Sequence, residues 1–324
     1  MLKYVAKRVF ITILTLWILF TIMFLVCRLF PDKNWYWIYD DPLPVQYFNS
    51  LKGIITKFDW GICTTAGPLY MPVTEYCAHK ILFTLYTSGV ALLLSIVIAF
   101  VLGTLCAYFD NGPIAILVNI CALGLGSLPC FVTGYALQYI SFKSGGVFPL
   151  IMTSVYDFMS IDMLKSVTLP ILSLTLGHTA LYMQHLRNDL LETYNSDFVA
   201  LLKTKGLNKW QIYKRHLIKH ASVSVLAQIP VSLSVFTVNA FIIERMFAIP
   251  GAGMSFIRCF FYVDQLPEDI SMFRSLGIMT DYNVFVMYSM FFISIIICGG
   301  LLIDLIYYLL DPRIRVGTSK ANIY

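Results

Sequence analysis

Six long stretches of this chain are apolar and nearly free of charge, at residues 9–27, 81–109, 114–142, 166–186, 221–243 and 283–310. A helix needs about 20 such residues to cross the hydrocarbon core of a bilayer, so each run is long enough to span. A soluble fold would have nowhere to bury six of them. Composition agrees: 58% of residues are hydrophobic and 13% charged, against roughly 25% charged in an average soluble domain. The expected fold class is therefore an all-α membrane protein of about six transmembrane helices. Gly103, Gly124, Gly126, Pro129, Pro170 and Pro230 lie within the runs; neighbouring helices can satisfy the backbone groups they free. Kinks are expected at these positions, and breaks are not.

The charges cluster between the runs, and their sign sets the expected orientation. Arg187, Lys203, Lys205, Lys209, Lys214, Arg215 and Lys219 share one inter-span segment, while Arg313, Arg315 and Lys320 follow the last run. Short basic loops stay in the cytoplasm. Six spans then put both termini on that side, which fits Lys3, Lys7 and Arg8 ahead of the first run. That run is too long for a signal-peptide core and has no small-residue cleavage site behind it, so a retained helix is expected. The net charge of +5 comes from these flanks, without zinc-finger spacing or an RNA-binding aromatic pattern, and nucleic-acid binding is not expected.

Three outer segments remain. In the first, residues 31–80, Trp35, Tyr36, Trp37 and Tyr39 fit an interfacial aromatic belt better than a docking surface. Of the eight cysteines, Cys27, Cys106, Cys121, Cys130 and Cys298 lie in or beside apolar runs and no CxxC pair occurs, which favours packing over metal binding. Cys63 and Cys77 share the first outer loop; a disulfide there is compatible with the spacing but not demanded by it.

Catalytic and ion-coupling chemistry is missing where it would be expected. There is no Walker A loop to cradle nucleotide phosphates, no HExxH helix and no nucleophile constellation, so no catalytic, cofactor or metal residue is assigned. Secondary transporters carry costly ionisable groups in mid-membrane. Here only His178, His185 and Asp304 qualify. His178 reads more readily as a packed core histidine, and Asp304 as a helix-end ion-pair partner of the nearby Arg313 and Arg315.

The segment at residues 187–220 is the most informative. Asp197 can cap a short helix over residues 198–205, Gly206 can end it at positive φ, and Asn208 can cap a second helix from Lys209. On that second helix Trp210, Tyr213 and Leu217 recur at i, i+3 and i+7 as an apolar stripe. Such a stripe suits either a protein groove or an anionic lipid surface, and periodicity does not choose between them.

The order of motifs around it resembles the oligopeptide and dipeptide permease family of ABC importers. The matching residues are Leu169-Pro170, Leu174-Thr175-Leu176, Arg187, Leu191-Glu192, Asp197-Phe198-Val199 and Lys205-Gly206-Leu207. Ser127-Leu128-Pro129, Glu244 with Pro250-Gly251-Ala252-Gly253, and the closing Leu310-Asp311-Pro312-Arg313-Ile314-Arg315 extend the similarity over nearly the whole chain.

The resemblance implies a type I permease fold in a bacterial cell membrane. Residues 1–80 would form a first transmembrane helix and extracellular loop, 81–311 the permease core and 312–324 a cytoplasmic tail. It implies a non-catalytic subunit in the lipid bilayer, paired with a second permease, two ABC ATPases that hold ATP and Mg, and an extracellular or periplasmic substrate-binding protein. Asp197, Phe198, Ala200, Lys205, Gly206, Leu207, Trp210 and Tyr213 would belong to the loop that meets the ATPase. Ala200-Leu201-Leu202 is bulkier than the family's Ala-rich face, the proline usual after the motif is absent around 221–224, and the 254–281 stretch is longer than usual. A permease for nickel or another small solute, a secondary transporter and a non-transporting scaffold are the alternatives, because fold does not fix cargo.

Overall fold

The computed structural model describes residues 2–29, 41–63, 71–110, 112–152, 160–259 and 281–310. Among these residues the regular structure is helical, with one isolated antiparallel bridge between Ile62 and Pro72. The helices are α1 (Leu2–Leu29), α2 (Leu43–Lys57), α3 (Val73–Tyr108), α4 (Pro113–Ser127), α5 (Cys130–Lys143), α6 (Ile161–Tyr194), α7 (Asp197–Thr204) and α8 (Lys209–Ile212). A π turn, Tyr213–Leu217, joins α8 to α9 (Ile218–Met246), followed by α10 (Ala252–Arg258) and α11 (Tyr282–Leu310). Five of the six predicted spans each fall in one helix, that at 81–109 to within its last residue, and the sixth is divided between α4 and α5. By length and hydropathy, α1, α3 and α11 are each sufficient to cross a membrane, and α4 with α5 makes a fourth candidate if the pair counts as one span.

That pair corrects the expectation of an unbroken span over 114–142, because α4 and α5 are bent by 109° from each other. Leu128, between them, is extended at φ −84° and ψ 132°. Pro129 is the cause. Its ring drives the preceding residue out of the α region, and it has no N–H to continue the ladder of α4. It is nonetheless well placed at the start of α5.

The chain divides into two compact units. Among the described residues, the first comprises 86–247 and 299–310. Within it α6 packs against α4, α5 and α9, and small residues let α3 approach closely: Ala99, Cys106 and Ala107 are buried. A Cβ at Gly103 would sit 3.0 Å from the Met183 carbonyl oxygen, so glycine sets the separation there, as in other membrane helix pairs.

The second unit comprises Leu2–Leu85 and Ala248–Cys298. Its core gathers Phe20, Phe24 and Cys27 of α1 with Val286 and Met290 of α11. Helix α2, which the reading of residues 31–80 as a loop did not anticipate, joins them through Tyr47, whose hydroxyl shares a 2.8 Å hydrogen bond with Thr21. The glycine motif before α10 places the Ala252 N–H 2.8 Å from the Thr84 hydroxyl, to which it donates. Cys63 and Cys77 are buried here as free thiols. Trp35, Tyr36, Trp37 and Tyr39, residues 260–280 of the long 254–281 stretch and the tail from 311 onward lie outside the described residues.

Candidate functional site

Helix α7 follows α6 after a two-residue link. Its N-cap is Ser196, one residue earlier than expected, and Asp197 occupies the first turn instead. There its carboxylate still complements the positive end of the helix. At the far end Gly206 has φ +80°. Its N–H donates to the Lys203 carbonyl at 3.0 Å, and the Leu207 N–H donates to the Leu202 carbonyl at 3.3 Å. These two bonds are the paired closure of a Schellman motif, which needs a left-handed residue at the position of Gly206. Asn208 then caps α8 as expected: its side chain accepts from the Gln211 N–H at 2.9 Å, and the Gln211 side chain accepts from the Asn208 N–H at 3.0 Å.

The apolar residues of α7 point two ways. Val199 and Leu202 are buried in the unit's own core with Ile212 and Leu217, while Phe198 and Leu201 are 50% and 56% exposed. Ala200, Lys205 and Gly206 are exposed as well, and Leu207 is half-buried.

The predicted Trp210, Tyr213 and Leu217 stripe does not behave as one surface. Trp210 is 52% exposed, but Tyr213 and Leu217 are fully buried, so neither offers a face to a partner or to lipid. The π turn explains the difference. Its backbone closes i to i+5, with the Ile218 N–H donating to the Tyr213 carbonyl, and this breaks the 3.6-residue register on which the stripe was drawn.

Tyr213 instead anchors the segment. Its hydroxyl donates to the Ala107 carbonyl at 2.8 Å, and its ring lies 5.4 Å from both Tyr108 and Tyr194. Burial, then the neighbouring Tyr194, pushes its phenol up to about 12, so it remains a donor throughout the physiological range. The Lys209 ammonium lies 4.7, 5.6 and 5.8 Å from the ring centroids of Tyr108, Tyr194 and Tyr213, within range for cation–π attraction. It also donates to the Tyr108 carbonyl. Arg187 near the end of α6 pairs with Asp110 just beyond α3 at 2.8 Å.

The loop is thus tied to the ends of α3 and α6 by an aromatic cage and an ion pair that sequence reasoning did not assemble. The available signal was the placement of Tyr108, Tyr194 and Tyr213 each at or near a span end. Their convergence depends on tertiary packing.

Elsewhere, His178 is buried near the middle of α6, with Nδ1 donating to the Leu174 carbonyl at 2.9 Å. Its ring stacks on Phe236 at 3.7 Å, consistent with a packed histidine. Asp304 is half-buried, and the arginines proposed to pair with it lie outside the described residues. Among the described residues no cluster of His, Cys, Asp or Glu could hold a metal.

Residues 99–316, a region that contains this whole loop, match the family described as binding-protein-dependent transport system inner membrane component. Similar proteins extend along nearly the full chain. The dipeptide transport system permease protein DppB of Bacillus subtilis is 25% identical over 332 residues, which cover 98% of this chain and 99% of the relative. Its namesake in Lactococcus lactis subsp. cremoris is 24% identical over 336 residues, 98% of this chain and all of that protein. The oligopeptide transport system permease protein OppB of Haemophilus influenzae is 26% identical over 341 residues, 97% of this chain and all of its own. With the family match spanning more than half of its length, the chain belongs to the binding-protein-dependent transport system inner membrane component family, as a membrane-spanning transport subunit.

Proposed function

We propose that this chain is one of two permease subunits of an ATP-driven importer of dipeptides or oligopeptides, and that α7 with its glycine turn couples it to a cytoplasmic ATPase. The carrying observation is the division of α7: Val199 and Leu202 fasten it to the unit's core while Phe198 and Leu201 remain about half exposed. An element held firmly on one side and apolar on the other can pass a push from a docked partner into the helices behind it. The aromatic cage around Lys209 and the Arg187–Asp110 pair stiffen that connection, so movement of α7 would be delivered to α3, α6 and α9.

In this scheme ATP and Mg bind the partner ATPases, and nucleotide favours one of two packings of the permease pair. The basic loop at 187–220 lies in the cytoplasm with both termini, and a substrate-binding protein delivers cargo from the other side. Peptide is the cargo named for the similar DppB and OppB proteins. The test is to purify the tagged chain from its native membrane, alongside a Gly206→Arg variant. The intact chain should bring down a second permease and an ABC ATPase, and its membranes should take up labelled dipeptide when ATP is supplied. The variant should retain the second permease and lose the ATPase. Recovery of neither partner, with uptake that is indifferent to ATP, would overturn the reading.

A further inference from the structure

Helix α2 carries two apolar sides, and the second unit covers only one of them. Tyr47, Leu51 and Ile54, at i, i+4 and i+7, pack against the cluster that contains Phe20, Phe24 and Met290. Phe48 and Ile55 lie on a side turned by about 100° from these, and they are 66% and 74% exposed. Asn49 and Thr56 form a third side, also exposed. The helix thus shows one side to protein, one apolar side to its surroundings and one polar side.

Phe58 extends the uncovered apolar surface. It closes α2 in the left-handed conformation at φ 52°, where a bulky side chain is an outlier and glycine would be unstrained. Its ring is nonetheless 60% exposed, edge-on to Trp60 at 5.9 Å. Strain of this kind, retained without burial inside the chain, marks a position used for something outside it.

The level at which α2 meets α1 says what lies outside. Helix α1 is apolar over Val5–Arg28. Besides its hydrogen bond to Thr21, Tyr47 places its ring 5.4 Å from Phe24 and 6.0 Å from Phe20. At about 1.5 Å per helical residue, Thr21 is about 10 Å inside the Arg28 end of that run. An interfacial helix buries its apolar side about 5–10 Å into the boundary between headgroups and acyl chains, which is the level of this contact. Ile22 and Leu25 of α1, at the same level, are exposed apolar residues as well. Lys52, also exposed, stands four residues after Phe48 and three before Ile55, where its stem can follow the apolar side while its ammonium reaches phosphate.

We propose that α2 is an interfacial helix lying in the bilayer surface at the C-terminal end of α1. Phe48, Ile55 and Phe58 enter the upper acyl chains, Lys52 meets the phosphate layer, and Asn49 and Thr56 face water. The occupant of the uncovered side is phospholipid, because that side sits at acyl depth beside a transmembrane span and carries a cation that phosphate attracts. Anchored in this way, α2 sets the depth and tilt of α1. The proposal does not depend on the transport reading.

Fluorescence quenching tests it, with the full chain and its co-purifying subunits reconstituted in vesicles of phosphatidylcholine and phosphatidylglycerol. A genetically encoded fluorescent amino acid replaces residue 48, 55, 49 or 56, one at a time. All four side chains are exposed, so little packing is lost, and a melting temperature checks each fold. The pairs 48 with 49 and 55 with 56 each suffice if the other fails to fold. With phosphatidylcholine brominated high on its acyl chains, labels at 48 and 55 should be quenched several-fold more than those at 49 and 56, and acrylamide in the buffer should give the reverse order. In the chain labelled at 55, Lys52→Glu should lower the bromolipid quenching, and more so as phosphatidylglycerol is increased. Equal bromolipid quenching on the two sides would overturn the proposal. Labels at 48 and 55 shielded from both quenchers would overturn it too, by placing a protein partner on this side, and unchanged quenching in the Lys52→Glu chain would remove the phosphate contact.

Discussion

On one side of Gly206, helix α7 leaves Phe198 and Leu201 about half exposed; on the other, the helical stretch that begins at Lys209 removes Tyr213 and Leu217 from solvent altogether. Both flanks carry aromatic and aliphatic residues at helical spacing, and both read from sequence as faces for a partner. The difference lies in what already covers them. Tyr213 and Leu217 meet the ends of the chain's own helices, whereas Phe198 and Leu201 are about half exposed, with the Phe198 ring edge-on to His216. Under the proposed function the two flanks do different work: the residues after Gly206 hold the loop to the core, and α7 is the face offered to the ATPase. Exposed apolar patches often mark surfaces that another molecule covers.

The comparison can be broken most decisively at Tyr213. Replacement by alanine removes the bond to Ala107 and the centre of the aromatic cage, and a large buried aromatic lost in this way costs about 3–5 kcal/mol. Thermal melting of the detergent-purified complex should fall sharply. Little change would mean that the second flank is not an anchor. Gly206→Ala comes next. No atom lies within 4 Å of the position where its Cβ would be, so the expected penalty of about 1–2 kcal/mol comes from the left-handed backbone alone, and it should appear as a modest melting shift with weaker ATPase retention. Asn208→Ala removes one half of the capping box and should cost about 1 kcal/mol, without affecting partner binding beyond that. Leu201→Asp should have the smallest effect on stability, within about 0.5 kcal/mol as for other surface changes, yet abolish ATPase recovery. A Leu201→Asp chain that melts normally and still retains its ATPase would remove α7 as the docking face.

Much of the architecture was legible because lipid leaves few choices. Each run of apolar residues was bound to be helical, and five became one helix each while the run at 114–142 became two. Gly206 and Asn208 were equally readable, since positive φ and N-capping are local properties of those residues. The break at Leu128 and Pro129 was present in the sequence but was discounted as a kink. Whether a proline bends or separates two helices depends on what replaces the missing hydrogen bonds, and that is decided by neighbours. Helix α2 was hidden because its fifteen residues are too few to span and sit in a segment rich in aromatic and turn residues. The misreading of Tyr213 has a different origin. Helical spacing identifies a face but not its neighbour, and the π turn shifts the face itself. Tyr108, Tyr194 and Lys209 lie up to 101 residues apart in sequence, and no local signal pairs them.

The central claim, that α7 is the surface through which this permease meets its ATPase, is tested most directly by placing a photoreactive amino acid at position 201 in the intact complex and irradiating native membranes. The account predicts a covalent adduct with an ABC ATPase whose yield changes between ATP-bound and nucleotide-free states, and no such adduct from position 213. Adducts with lipid alone at position 201, from membranes in which the ATPase still co-purifies with the chain, would contradict it.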